Sequence, residues 1–349
     1  MTTYFLKYII QYLDLLIYKK IPKKNKITGI IVFDTSLSSD NLGDEIINYY
    51  CNSIFNEVGI MPLSRISTHV CPTHKELKLL NKNTLKIITG TNILSSKMNS
   101  RGLWKRPLWA KQTDNLCLMG TGWNAYSEYE NRFTKLFYQT LLNKNFIHSV
   151  RDTYTENKIR SLGINNVIYT ACPSMWRLSE DFCKTIPADK AKSVLTTITD
   201  YAPDAESDWF LLDTLLRHYK NVYIWIQGKH DLEYLRLFPE FNKLICIDNN
   251  LHSYNQILEN TELDYVGTRL HAGIHALNHR KRTLIISIDN RARELAKDTN
   301  LPVIERSEIK NKLEKAIKSS YATNIRIPLN NIEKWKGQFS GLNEKWKNS

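Results

Sequence analysis

Three side chains that handle anions and protons stand close together in "YVGTRLHAGIH" (265–275): Arg269, His271 and His275. An apolar strand-like run (263–268) gives way there to a helical spacing in which Leu270, Ile274 and Leu277 share a face. A helix N-terminus at the end of a strand offers unpaired backbone N–H groups and a dipole, both of which favour an anion. Arg269 adds a planar donor fork suited to phosphate or carboxylate, and His271 can move a proton near neutral pH. Two other chemistries compete. His271 and His275 have the spacing of a zinc HExxH pair, but Ala272 stands where the glutamate belongs and no third ligand is evident, so no metal is expected. "HRKR" (279–282) has the composition of a nucleic-acid patch, yet it also suits the solvated end of a helix, where positive charge complements the dipole; no nucleic-acid partner is expected.

Other transitions from strand to helix carry further candidates. In "SSDNLGDEIINYY" (38–50), Asn41 and Gly43 suit a tight turn and Asp44 the first helical turn. That stretch is either plain capping or a turn that brings an acceptor hydroxyl to Asn41 and Asp44, with Asp44 as a weak base. "ITGTN" (88–92) and "MGTGWN" (119–124) are small-residue loops that place Asn92 and Trp123 on the acceptor side; Trp123 either stacks on a sugar or caps the core. "SVRDTYTENKIRSLGI" (149–164) sets Arg151 at a strand end, as a second cleft arginine or as the partner of Asp152. Neither a P-loop nor a dinucleotide GxGxxG pattern is present.

The elements that must position these residues alternate. Strand-like runs at 27–34, 84–89, 116–120, 146–152 and 166–171 are interleaved with helical spacings, including one from Asp44, one at 130–142 and one at 153–161. The pattern restarts with runs at 193–199, 221–227, 244–248, 263–268, 283–289 and 301–305, and with helices near 205–219, 270–278, 290–298 and 307–318. Such alternation predicts an α/β chain of two Rossmann-like domains with parallel sheets, 27–180 and 181–319, followed by a helical tail at 320–349 that crosses back over the first domain. The active site is expected in a cleft, among loops leaving the strands' carboxyl ends.

Composition agrees with a folded globular protein. At 349 residues, 42% of them apolar, the chain is long enough for two cores. Six cysteines without a CxxC pair point to a reducing compartment. The net charge of +13 favours an anionic partner. Residues 1–26 are unlike a secretory signal and too interrupted for a membrane span. Phe5, Ile9, Tyr12, Leu13, Leu16 and Ile17 instead predict a helix with one apolar face, followed by Lys19, Lys20, Lys23, Lys24 and Lys26. That helix either lies on an anionic membrane surface, packs on the protein's own body or meets a second copy.

"NLGDEIINYY", "TGTNIL", "MGTGWN", "SVRDTYTENKIRSLGI" and "DYVGTRLHAGIHAL", in this order, resemble the polysaccharide pyruvyl transferase family over about residues 28–305. The resemblance implies the two-Rossmann-domain architecture of GT-B glycosyltransferases. It also implies transfer of the carbon skeleton of phosphoenolpyruvate onto a sugar of a cell-surface polysaccharide or its lipid-linked precursor, with phosphate release and a cyclic ketal as product. Carried onto this chain, donor binding falls on Arg151, Arg269, His271 and Gly267, and catalysis on His271, Arg269 and Asp44. No cofactor is implied beyond phosphoenolpyruvate as donor. The expected location is cytoplasmic, and peripheral on the inner face of the cell membrane where the amino-terminal helix lies on an anionic surface. Thr89-Gly90-Thr91 and Cys172-Pro173 depart from the family's glycine triplet and aspartate–proline, which keeps a glycosyltransferase using a nucleotide-activated sugar open as the alternative. The sequence sets no oligomeric state.

Overall fold

The computed structural model describes residues 2–21, 27–99, 104–127 and 129–340, with side chains from Leu6 onward. Lys23, Lys24, Lys26, the Phe5 side chain and the tail beyond Ser340 lie outside the described residues. The chain divides into two compact units. Unit 1 comprises Met1–Ser39, Ile47–Pro173 and Pro328–Ser349, and unit 2 comprises Asp40–Ile46 and Ser174–Ile327.

Unit 1 begins with α1 (Thr2–Tyr18) and continues through β1 (Ile30–Asp34), α2 (Leu42–Glu57, whose first turn counts with unit 2), β2 (Ser64–Ser67), α3 (His74–Leu80), β3 (Leu85–Thr89), α4 (Ala110–Thr113), β4 (Leu116–Met119), α5 (Arg132–Leu141), β5 (His148–Val150), α6 (Thr153–Ser161) and β6 (Val167–Tyr169). Four parallel strands run in the order β2-β1-β3-β4, and β5 pairs in parallel with β6. The Gly120 N–H donates to Ser149 O at 3.0 Å, tying the end of β4 to β5. β1, β3 and β4 are buried throughout, as near-continuous apolar strands covered on both faces must be. Edge strand β2, "SRIS", has only Ile66 as an apolar residue, so neither period nor hydrophobicity announces it.

Unit 2 contains α7 (Glu180–Cys183), β7 (Ser193–Thr196), α8 (Ala205–His218), β8 (Asn221–Trp225), α9 (Asp231–Leu235), β9 (Ile245–Ile247), α10 (Leu251–Asn260), β10 (Leu263–Gly267), α11 (Leu270–Asn278), β11 (Thr283–Ser287), α12 (Asn290–Thr299), β12 (Val303–Glu305) and α13 (Ile309–Lys318). Its six strands are parallel, in the order β12-β11-β10-β7-β8-β9. That is the doubly wound Rossmann order, so the chain reverses direction across the sheet between β7 and β10. The crevice beyond their carboxyl ends is where such sheets bind ligands.

The expected class, α/β with two parallel-sheet units, is what the structure has. The units join at 173/174, whereas the sequence spacing suggests 180/181. Ser174 O accepts from Asn278 Nδ2 at 2.8 Å, which holds the segment to unit 2. The return to unit 1 comes at Pro328, after 320. Tyr321 hydrogen-bonds Ala188 and Thr283, and the Arg326 N–H donates to Thr299 O at 2.8 Å, so this stretch is sewn to unit 2. α14 (Leu329–Gly337) then buries Trp335 in unit 1, its Nε1 donating to Leu118 O at 3.2 Å.

Candidate functional site

At Gly267, the last residue of β10, a side chain would strike Thr197, 2.6 Å from its Oγ1. The glycine lets β10 and β7 close up, and the two strand ends are then laced together. Thr197 Oγ1 pairs with Tyr265 Oη at 2.7 Å, Tyr265 Oη donates to Arg269 O at 2.9 Å, and Thr268 Oγ1 pairs with Thr199 Oγ1 at 2.7 Å. Gly267, expected as a donor contact, is buried against this lacing.

Arg269 sits between β10 and α11, at the switch point, and is 3% exposed. Its Nε donates to Ile198 O at 3.2 Å, and its Nη2 donates to Asp200 Oδ1 at 3.0 Å and to Asp231 Oδ1. The guanidinium lies over the Tyr201 ring, 5.0 Å from its centroid, and crosses Gly228, where a Cβ would come within 2.3 Å of Nη2. Nη1 makes no hydrogen bond among the described residues. Asp231 also accepts from the N–H groups of Gly228 at 2.7 Å, Asp200 at 3.0 Å and Gln227 at 3.2 Å. Burial pushes the Asp231 carboxyl up. Burial also pushes on Asp200, but its hydrogen bond with Asp231 and the Arg269 charge outweigh it and hold Asp200 down. One guanidinium thus serves two carboxylates of unlike acidity. Sequence reasoning missed Asp200 and Asp231, although both follow strands at the carboxyl edge, the signal that could have found them.

The turn before α2 reaches the same loop. Asn41 Oδ1 accepts from the Gly43 N–H at 2.9 Å and from Gln227 Nε2 at 2.7 Å, and Asn41 bridges Gly228. Asn41 is therefore spent on shaping the turn, and it sets the half-buried Asp44 beside the segment that carries Gly228. His271, in the first turn of α11, is 6% exposed. His275 accompanies it in the sequence but not in chemistry. It pairs with Asn255 at 2.7 Å and stacks on Tyr254, and burial lowers its pKa to about 3, so it is a neutral packing residue.

In unit 1, Arg151 follows β5 and is 1% exposed. Its Nη2 donates to Asn92 Oδ1, and its Nε lies 3.4 Å from Asp152 Oδ2 without a hydrogen bond. It crosses Gly122, where a Cβ would come within 2.2 Å of Nη2. Asp152 caps α6 through the Thr155 N–H at 2.7 Å. The structure thus brings together Arg151 and Asn92, two residues the sequence pointed to separately, and gives Asn92 the task of holding the arginine. Trp123 needs correction. It is 1% exposed, tilts against Tyr138 at 5.7 Å and donates to Ser96 Oγ at 2.9 Å, so its ring belongs to the core and cannot stack on a sugar.

The sequence has no match among curated proteins. Among solved structures it is similar to a S. aureus MnaA–UDP co-structure, at 11% identity and TM-score 0.48, covering 86% of this chain and 92% of that one. A Methanocaldococcus jannaschii UDP-GlcNAc 2-epimerase in complex with UDP-GlcNAc and UDP gives 13%, 0.48, 88% and 97% in the same order. The apo lipopolysaccharide outer core galactosyltransferase WaaB gives 10%, 0.47, 90% and 95%. The family model for polysaccharide pyruvyl transferase matches residues 41–290, a span that takes in the Asn41 turn, Arg151, Arg269 and His271. This chain belongs to the polysaccharide pyruvyl transferase family and is a transferase that places a pyruvyl group on a polysaccharide.

Proposed function

We propose that the donor is phosphoenolpyruvate, held through the Nη1 edge of Arg269, and that the product is a pyruvate ketal on a sugar. The supporting observation is the build of Arg269. It is fixed at a Rossmann switch point by two carboxylates, with one edge left for an anion. Phosphoenolpyruvate carries a phosphate and a carboxylate, and a fixed guanidinium fork suits either group.

A sugar hydroxyl oxygen adds to C2 of the donor while C3 takes up a proton, giving a tetrahedral carbon that bears phosphate. Phosphate leaves with the C2–O bond electrons, and a second sugar hydroxyl closes the ketal and loses its proton. His271 delivers the proton to C3 or to the departing phosphate, a task worth about 100-fold or more in rate. Asp44 receives an acceptor hydroxyl proton, Asn41 shapes its turn, and Gly267 and Asn92 act by placing Arg269 and Arg151. The acceptor sugar is carried on a lipid-linked precursor at the inner face of the cell membrane, where a peripheral enzyme reaches it.

The experiment combines purified protein, phosphoenolpyruvate and a panel of envelope saccharides, reading phosphate release and acceptor mass together. The expected product gains the mass of pyruvic acid less one water, with one phosphate released per ketal. Release of a nucleotide from a nucleotide sugar, with no use of phosphoenolpyruvate, would overturn the reading.

A further inference from the structure

α1 carries apolar residues on two opposite sides. One side is used within unit 1. Leu15 is 3% exposed, and Tyr8 and Tyr12 lie against Phe133 at 5.4 and 6.3 Å. Asp14 Oδ2 accepts from the Ala110 N–H at 2.6 Å, and Gln11 Oε1 accepts from Arg106 at 3.2 Å. At the helix end Tyr18 Oη donates to Asp114 Oδ2 at 2.5 Å, and Asp114 in turn holds the fully buried Lys86 at 2.8 Å. A buried lysine paired in this way is costly to uncover, so α1 is fastened to the body.

The other side meets solvent. Leu6, Leu13 and Ile17 are 57%, 52% and 65% exposed, and their spacing of seven and then four residues makes one stripe along the helix. Leu16, and Ile21 just past the helix, are exposed as well. Trp109, 47% exposed, is the residue next to Ala110, whose N–H is bound by Asp14, so an indole flanks the helix. Lys7, Lys19, Lys20 and, beside Trp109, Lys111 are all exposed. An apolar stripe, an indole at its margin and lysines around it are the parts of a surface that lies in the headgroup layer of an anionic bilayer. No helix among the described residues is long and apolar enough to cross a membrane.

We infer that unit 1 docks on anionic phospholipid through this preformed face: the outer stripe of α1, with Trp109 beside it and lysines around it. Charge complementarity selects lipid as the occupant, since an apolar stripe ringed by lysines repels a second copy of itself. The inference goes beyond the donor chemistry and stands apart from it, because its test needs neither phosphoenolpyruvate nor a sugar. Deleting α1 would be a poor probe, as it uncovers Phe133 and the Lys86–Asp114 pair. The outward side chains can be changed without touching the inward ones.

The test is sedimentation of the full chain with vesicles of phosphatidylcholine mixed with phosphatidylglycerol, beside vesicles of phosphatidylcholine alone. The wild type is expected to bind the anionic vesicles and to be released by high salt. Leu13→Ser with Ile17→Ser should weaken binding about 10-fold or more, and Trp109→Ala and Lys19→Glu with Lys20→Glu should each weaken it several-fold, all with unchanged thermal melting. Wild-type protein that ignores anionic vesicles, or serine variants that bind as wild type does, would overturn the inference. So would a wild-type dimer that the serine variants convert to monomer, which would give the face to a second copy.

Discussion

In unit 1 the guanidinium of Arg151 leans on the neutral amide of Asn92 and on one carboxylate at 3.4 Å; in unit 2 that of Arg269 is gripped by two carboxylates. Both arginines are buried, both follow a strand, and both cross a glycine that leaves room for Nη2. The difference is one of charge accounting. Arg151 keeps more of its positive field, whereas the field of Arg269 is largely offset and its orientation is fixed. A mobile cation in water would offer the reverse, strong attraction and poor aim. Arg269 is therefore suited to align a donor anion, and fixed donors of this kind favour a transition state over a ground state.

Removing the guanidinium tests this most harshly. Arg269→Ala strands two carboxylates in a buried site and should cost about 3–5 kcal/mol of stability by chemical denaturation, against about 1–3 for Arg151→Ala. Adding Asp231→Asn to Arg269→Ala should recover part of that loss, and equal losses at the two arginines would erase the distinction. At the chemistry itself, His271→Ala should fold normally and turn over about 100-fold more slowly, with the Km for donor little changed. Full turnover would remove His271 from the mechanism.

The two glycines give a finer probe. Gly228→Ala and Gly122→Ala each push a methyl into a guanidinium and should cost about 1–3 kcal/mol. Under this account Gly228→Ala lowers kcat, because it disturbs the aim of Arg269; an unchanged kcat would remove that role. The smallest expected effect is one of pH. Burial lowers the pKa of His148, in unit 1, to about 4, below its ordinary value of 6.5. The unfolded chain therefore binds the proton first, and stability is lost as pH falls from 6.5 toward 4, by about 1–2 kcal/mol near pH 5. His275 moves the same way in unit 2. His148→Gln should flatten the slope in part, and a slope identical to that of the wild type would refute the assignment.

Much of the scaffold was legible because long apolar periodicity declares itself. α6 and α11 occupy the residues expected, 153–161 and 270–278, and the buried strands β3, β7, β10 and β11 lie inside the expected runs. What escaped was held by other forces. β2 is too polar to show a period, and α3 is set by the capping box of Thr73 and Glu76. α10 is started by the Asn250 cap. Within the site, the residue types were readable but their partners were not. Arg151 was visible, whereas its grip by Asn92, 59 positions earlier in the chain, is a product of the fold. Arg269 was visible, whereas its carboxylates come from the loop after β7 and from the first residue of α9. Trp123 misled because a glycine-flanked aromatic after a strand looks alike whether it faces a sugar or Tyr138.

The most direct test of the account is calorimetric binding of phosphoenolpyruvate to the wild type, Arg269→Lys and Arg269→Ala. Lysine keeps the charge and loses the fork. Arg269→Lys is expected to weaken binding about 10-fold or more, and Arg269→Ala at least as much. Phosphoenolpyruvate bound equally well by all three proteins would contradict the account.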